Sequence, residues 1–336
     1  MSLEIKFVKS RSDMINFLNL PKFIYGHQKF CPPTTPLQIP NSTHYQFFLA
    51  LENNQPVGRV AAIINSRYIE PDTGFFGALE AIQQPAVGRE LLRNAEEWLA
   101  AQKIKRIVGP ATMNTNQQVG VLIKGFEEPP TPFIPYNPPY YQDLVEGFGF
   151  HKLTDLLSYS YSLKQKIPPF LKKIARRAKQ KTGLTLRSLN TFYLRPNVQA
   201  IQYILNEAMI NNWGYIPLTS REISSLVYYC LSKGDPSLAS IITVGKKPAA
   251  FSLCLPVTRS GLRARMAFLA VVPAFRMLGL ESLLITRTIE IVQSRGHSTL
   301  EISQVDEKNE AMQKIITKFS CPLIKCHRVY QKNIDG

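Results

Sequence analysis

Residues 268–290, FLAVVPAFRMLGLESLLITRTIE, change period part-way along. The apolar run FLAVV has the length and composition of a buried strand, Pro273 ends it, and helical spacing takes over from Leu280. Between them, Arg276 and Gly279 stand where the end of a strand meets the start of a helix. Backbone N–H groups at such a start, together with the positive end of the helix dipole, cradle a pyrophosphate. Gly279 lets phosphates approach the backbone closely, whereas Glu281 brings a negative charge beside them. The bland alternative is an ordinary turn between strand and helix in any α/β domain.

Working outward, STLEISQVD supplies the next strand, NEAMQKIITKF the next helix and CHRVYQK a terminal strand. Upstream lie a strand TLRSLN, a helix PNVQAIQYILNEAMINNW and a hairpin LASIITVGKKPAAFSLCLPV. The first half repeats this order. LEIKFVKS is a strand and SRSD opens a helix; YQFFLALENNQPVGRVAAII is a hairpin with Asn53 and Asn54 at its turn. TGFFGALEAI follows as a strand. Leu91, Leu92, Ala95, Trp98 and Leu99 then share one helical face, ahead of the short strand KRIVGPATM. Shared element order is the mark of an internal duplication. The expected division is 1–163, a basic linker helix at 164–183, and 184–336.

On the residues Val271, Val272, Pro273, Arg276, Gly279 and the pair Leu283 and Leu284, the second half resembles the acyl-CoA motif of the GNAT superfamily of N-acyltransferases. Glu281 replaces that motif's usual glycine or alanine. The segments GPATMN and YNPPYYQDL, with NNWGYIPLTSREI and CHRVYQK, are similar to bacterial tandem-GNAT proteins over most of the chain. The resemblance implies an α/β (α+β) fold of two tandem GNAT-like domains, each a mixed, mostly antiparallel sheet flanked by helices. It implies acyl-CoA as co-substrate, held by Leu269, Val271, Val272, Arg276, Leu278, Gly279, Leu280 and Asn309, and an amine acceptor. Glu301 is the candidate general base. Where many members carry a thiolate-protonating tyrosine, Ile315 and Ile316 stand here, which leaves Tyr330 of the terminal strand as the candidate acid. Trp213 and Tyr215 occupy the segment that covers the acceptor in GNAT folds. In the first half the loop IQQPAVGREL lacks the phosphate motif, so that repeat is expected to be degenerate, with Tyr136 and Tyr140 turned to shaping a substrate channel. Each of these aromatic groups has an equally simple reading as packing.

The activity that the resemblance implies is transfer of an acetyl or longer fatty acyl group to a small molecule or to the amine of a peptide or natural-product intermediate; a non-catalytic acyl-CoA-binding scaffold is the alternative. A net charge of +16 favours anionic partners. Eight Lys or Arg and no acid fall between Lys164 and Lys181, in KQKIPPFLKKIARRAKQK. This run suits an acidic peptide or an acyl carrier protein, or is simply a solvated helix face. No nucleic-acid recognition module accompanies it. Cys321, Cys326 and His327 are too few for a zinc site, and no metal is expected. Five scattered cysteines, no run of about 18 apolar residues and no secretory leader point to a cytoplasmic protein without a membrane span.

Overall fold

In the computed structural model, the described residues are 3–26, 29–32, 39–232, 235–257 and 262–334. Along the chain run β1 (Leu3–Phe7), α1 (Arg11–Tyr25), β2 (Thr43–Glu52), β3 (Gln55–Asn65), β4 (Thr73–Ala81), α2 (Pro85–Ala101), β5 (Arg106–Gly109), β6 (Val121–Lys124), α3 (Tyr141–Glu146) and β7 (His151–Ser162). There follow α4 (Pro169–Lys179), β8 (Leu184–Ser188), α5 (Leu194–Met209), α6 (Ser220–Ser232), β9 (Ala239–Val244), β10 (Lys247–Val257), β11 (Arg263–Val271), α7 (Leu280–Ser294), β12 (Thr299–Asp306), α8 (Glu310–Lys318) and β13 (Leu323–Asn333). They form two compact units: Met1–Leu157 with Asp306–Lys308 and Ile324–Gly336, and Ser158–Val305 with Asn309–Leu323.

In the first unit β1 to β5 lie in sequence order and β13 closes the row, with β6 also pairing β13. All pairs are antiparallel except β4 with β5. Asn53 and Asn54 make the β2–β3 turn at φ 49° and 64°, the left-handed values that a two-residue hairpin needs. The predicted face of α2 is buried through Leu91, Leu92, Ala95 and Leu99. It covers β2, β3 and β4 through Phe48, Val60, Ala62 and Phe76.

The second unit has the order β12-β11-β10-β9-β8, antiparallel except for β11 with β12. On one face α5 and α6 pack on Ile241, Phe251 and Leu253. On the other, α4 and α7 pack on Ile242, Ala250 and Val271. Each unit is thus a mixed, mainly antiparallel sheet flanked by helices, the architecture expected from the sequence.

Two details differ from the expected division. The terminal strand does not stay with the second half: from Ile324 onward it completes the first unit, where Tyr330 is registered with Gly109 and fully buried. β5 is only four residues long, and β13 covers an edge that would otherwise be left unpaired. Nor is 164–183 a free linker, because Leu171, Ala175 and Ala178 of α4 are buried in the second unit. Among the described residues no helix is long and apolar enough to cross a membrane.

Candidate active site

β11 and β12 are registered only from Arg263↔Thr299 to Met266↔Ile302. β11 then continues to Val271 beside β10, through Leu269↔Ser252 and Val271↔Ala250, without a β12 partner. The two parallel strands therefore part. Along the part that diverges, Ala267, Phe268 and Leu269 are only half-buried. Backbone N–H and C=O groups on such an edge seek partners, and an extended ligand lying alongside can supply them.

The edge leads into the predicted loop. Val271 and Val272 are buried and fix the end of the strand in the core, a single 3-10 turn spans Pro273–Phe275, and Arg276 and Met277 are exposed ahead of half-buried Leu278. Gly279 caps α7 at φ 78°, a conformation that glycine adopts without strain. The first helical bond runs from Leu283 N–H to the Gly279 carbonyl at 3.1 Å, so the N–H groups of Leu280, Glu281 and Ser282 precede the ladder. A Cβ at Gly279 would come within 2.8 Å of Ile174 Cγ2 and 3.4 Å of Ala178 Cβ, both on α4. The basic helix thus lies against the loop. Glu281 is half-buried in the first turn of α7.

The other candidates in the second unit are placed differently. Glu301 is 1% exposed and registered with Arg265 in the closed part of the β11–β12 pair, below the point of divergence. Burial pushes the Arg265 guanidinium down to about 10, against the opposing pull of Glu301, and its Nε and Nη2 donate to Ser303 Oγ and the Ser303 carbonyl, each at 3.1 Å. Asn309 caps α8, its Oδ1 accepting from Met312 N–H at 3.1 Å. Tyr215 donates to Asn206 Oδ1 at 2.7 Å, and Asn206 also holds Leu218 N–H; burial raises the phenol's pKa. This ties the segment after α5 back onto that helix, with Trp213 half-buried in it. Tyr330 lies in the first unit, donating to Glu146 Oε1 at 2.9 Å, its pKa raised by burial and by that carboxylate.

In the first unit the corresponding edge is filled. β4 is registered with β5 only as far as Phe75↔Val108. Near its end Ala81 N–H donates to Tyr141 Oη at 2.9 Å, and Tyr140 Oη donates to the Ala81 carbonyl at 2.6 Å. Tyr141 also donates to Glu80 Oε2 at 2.8 Å, as does Tyr25 at 2.9 Å, and Arg59 lies 3.7 Å from Glu80 Oε1. Burial raises the Glu80 pKa, opposed by Arg59 and the two phenols. Glu80 sits on β4, the counterpart of β11, so it is not the equivalent of Glu301 on β12. Tyr136 donates to the Phe126 carbonyl at 3.2 Å. At the start of α2, Pro85 has no N–H and Gln84 O accepts from Val87, which leaves Ala86 alone as a spare donor.

Superposition on solved structures identifies this arrangement. The chain has the tandem GNAT fold. A tandem GNAT protein from the clavulanic acid biosynthesis pathway matches 100% of this chain and 99% of its own with a TM-score of 0.61 at 12% identity. A GCN5-related N-acetyltransferase from Sphaerobacter thermophilus matches 99% and 96%, with a TM-score of 0.57 at 12% identity. By sequence, the chain is similar to Protein YghO of Escherichia coli strain K12, 27% identical and covering 97% of this chain and 94% of that one. It is also similar to a bacterial ceramide synthase of Caulobacter vibrioides, 28% identical and covering 93% and 89%. No family model matches.

Sequence reading missed Arg265, whose only trace is an arginine ahead of an apolar run, ARMAFLAVV. Tyr140, expected to shape a substrate channel, stands with Tyr141 at the start of α3 and bonds the end of β4.

Proposed function

We propose that the protein is an N-acyltransferase with one working repeat, the second, and that it joins a fatty acyl group from acyl-CoA to the amine of a long-chain amino lipid. The observation that carries acyl transfer is the diverging edge of β11 running into the glycine-capped start of α7. The pantetheine arm would hydrogen-bond along β11, and the pyrophosphate would meet the N–H groups of Leu280, Glu281 and Ser282. A backbone N–H between Leu269 and Val271 would polarise the thioester carbonyl.

In the reaction the neutral amine nitrogen attacks the thioester carbon, the adduct nitrogen sheds a proton as the C–S bond breaks, and the leaving CoA thiolate takes up that proton, directly or through water. The ammonium proton must first pass to water or a base, and close positioning of the two reactants supplies much of the rate. The lipid acceptor is favoured by the relative named a ceramide synthase, since a ceramide is the amide of a fatty acid and a long-chain amino alcohol.

Purified protein mixed with palmitoyl-CoA and sphinganine should give the N-acyl product by mass spectrometry. Acetyl-CoA with small amines, and octanoyl-CoA with a peptide amine, should give little. Product only from the acetyl pair would refute the lipid acceptor. Absence of acyl-CoA binding at every chain length, measured by calorimetry, would refute acyl transfer as well.

A further inference from the structure

Packing in the second unit explains only the inner face of α4. Leu171, Ala175 and Ala178 are buried, while Lys172, Lys173, Arg176, Arg177 and Lys179 are exposed. Among the described residues no carboxylate pairs with any of these five. A helix face that is merely solvated usually mixes Glu with Lys at i and i+4, and this one carries a single sign.

Apolar side chains stand among the charges. Phe170 is 41% and Ile174 40% exposed, and Met277, in the loop that Ile174 touches at Gly279, is 96% exposed. An exposed apolar group alone needs no explanation; three on neighbouring elements inside a basic field do. Apolar side chains ringed by lysine and arginine match the interface of an anionic bilayer, where the former enter the acyl boundary and the latter meet the headgroup phosphates.

We propose that α4 and the Met277 loop form a docking face for a membrane surface rich in anionic phospholipid. The purpose assigned to it, presenting the second unit to an amine substrate that resides in the bilayer, rests on the function proposed above. The docking itself does not.

The test is co-sedimentation of the full chain with phosphatidylcholine vesicles, with and without phosphatidylglycerol. Binding is expected with phosphatidylglycerol, weaker by about tenfold or more without it, and reduced at high salt. Reversing four charges together (K172E, K173E, R176E, R177E) should lower the partition coefficient by about tenfold or more. I174S with M277S should lower it roughly fivefold, by removing buried apolar surface without changing charge. Circular dichroism checks that each variant keeps the native fold, and the charge-neutral pair serves as the second probe if the reversed variant does not. Failure to sediment with phosphatidylglycerol would overturn the proposal, as would vesicle binding that both variants leave intact. Saturable binding to an acyl carrier protein that the charge reversals abolish, with vesicle binding unaffected, would also overturn it in favour of a protein partner. A chain that binds vesicles but acylates no amine would sink the function proposed above and leave the docking face standing.

Discussion

The end of β4 in the first unit and the end of β11 in the second occupy the same place in two copies of one fold, and the chain treats them oppositely. At β4 the backbone of Ala81 is bonded on both its N–H and its C=O by Tyr141 and Tyr140. At β11 the strand leaves its parallel neighbour after Met266 and runs on to a helix start capped by glycine. The adjoining helices follow suit: α2 begins with a proline that removes a donor, α7 with three consecutive N–H groups. On the function proposed above, the first copy is silenced by its own side chains, which bond the backbone of Ala81.

The most severe way to break this comparison is at Glu80. Glu80→Gln leaves Arg59 buried without its counter-charge and should cost the first unit about 3–5 kcal/mol. Urea denaturation read by circular dichroism should show it, and Arg59→Met in the same chain should restore most of the loss. A pH effect accompanies it. Burial raises the folded Glu80 above its ordinary value of 4.5, so the folded state holds this proton more tightly than the unfolded chain. Its contribution to stability is full below that value and is lost as pH rises through the folded pKa. Glu80→Gln should remove that part of the slope. Unchanged stability in the variant would mean that the tyrosine closure, and not the ion pair, holds this end of β4.

Glu301 gives a smaller version of the same experiment in the second unit. Arg265 keeps its bonds to Ser303 when Glu301 becomes Gln, so the loss should be about 3 kcal/mol, near the bottom of the range for a broken buried pair. Arg265→Met in the same chain should recover stability. If turnover recovers with it, Glu301 supports the β11–β12 stem; if stability returns and turnover does not, Glu301 takes part in proton transfer.

Gly279→Trp acts on the cradle and on its packing against α4. The new side chain would drive into Ile174 and Ala178 at a φ that only glycine tolerates well. Losing one or two hydrogen bonds to phosphate corresponds to about ten- to hundredfold weaker acyl-CoA binding. Ala86→Trp, at the exposed start of α2, should leave affinity unchanged. Calorimetry of the wild type should give one site per chain, and a stoichiometry of two would end the contrast between the repeats.

What was legible in the sequence followed from local pattern. Strand and helix periods, the Asn53–Asn54 turn and the β11–α7 junction depend on neighbours a few residues apart, and those readings gave the architecture. The helix α6 is also written locally, in Thr219-x-x-Glu222, whose side chains and backbone cap one another, a signal that the sequence reading above does not use. Other features needed the tertiary fold. Nothing near Tyr330 in sequence says that its strand returns to β5, and nothing near Glu301 names Arg265, 36 positions back, as its partner. Long-range pairing converted both catalytic candidates into buried groups with structural partners.

Asn309 offers the gentlest test, because the cofactor role implied by resemblance and the role seen in the structure predict different substitution patterns. As the cap of α8 it bonds Met312 N–H through Oδ1, which any short side-chain acceptor can replace. Asn309→Ala should therefore cost about 1 kcal/mol of stability and Asn309→Ser or Asn309→Asp only a few tenths, with acyl-CoA affinity following stability in that order. A residue that touches pantetheine through its amide would behave otherwise. Serine and aspartate lack the amide N–H donors, so both would weaken acyl-CoA binding as much as alanine does, while stability stayed near that of the wild type. Thermal unfolding and calorimetry on the same three variants separate the two roles, since only a ligand contact lowers affinity in a variant whose helix cap is intact.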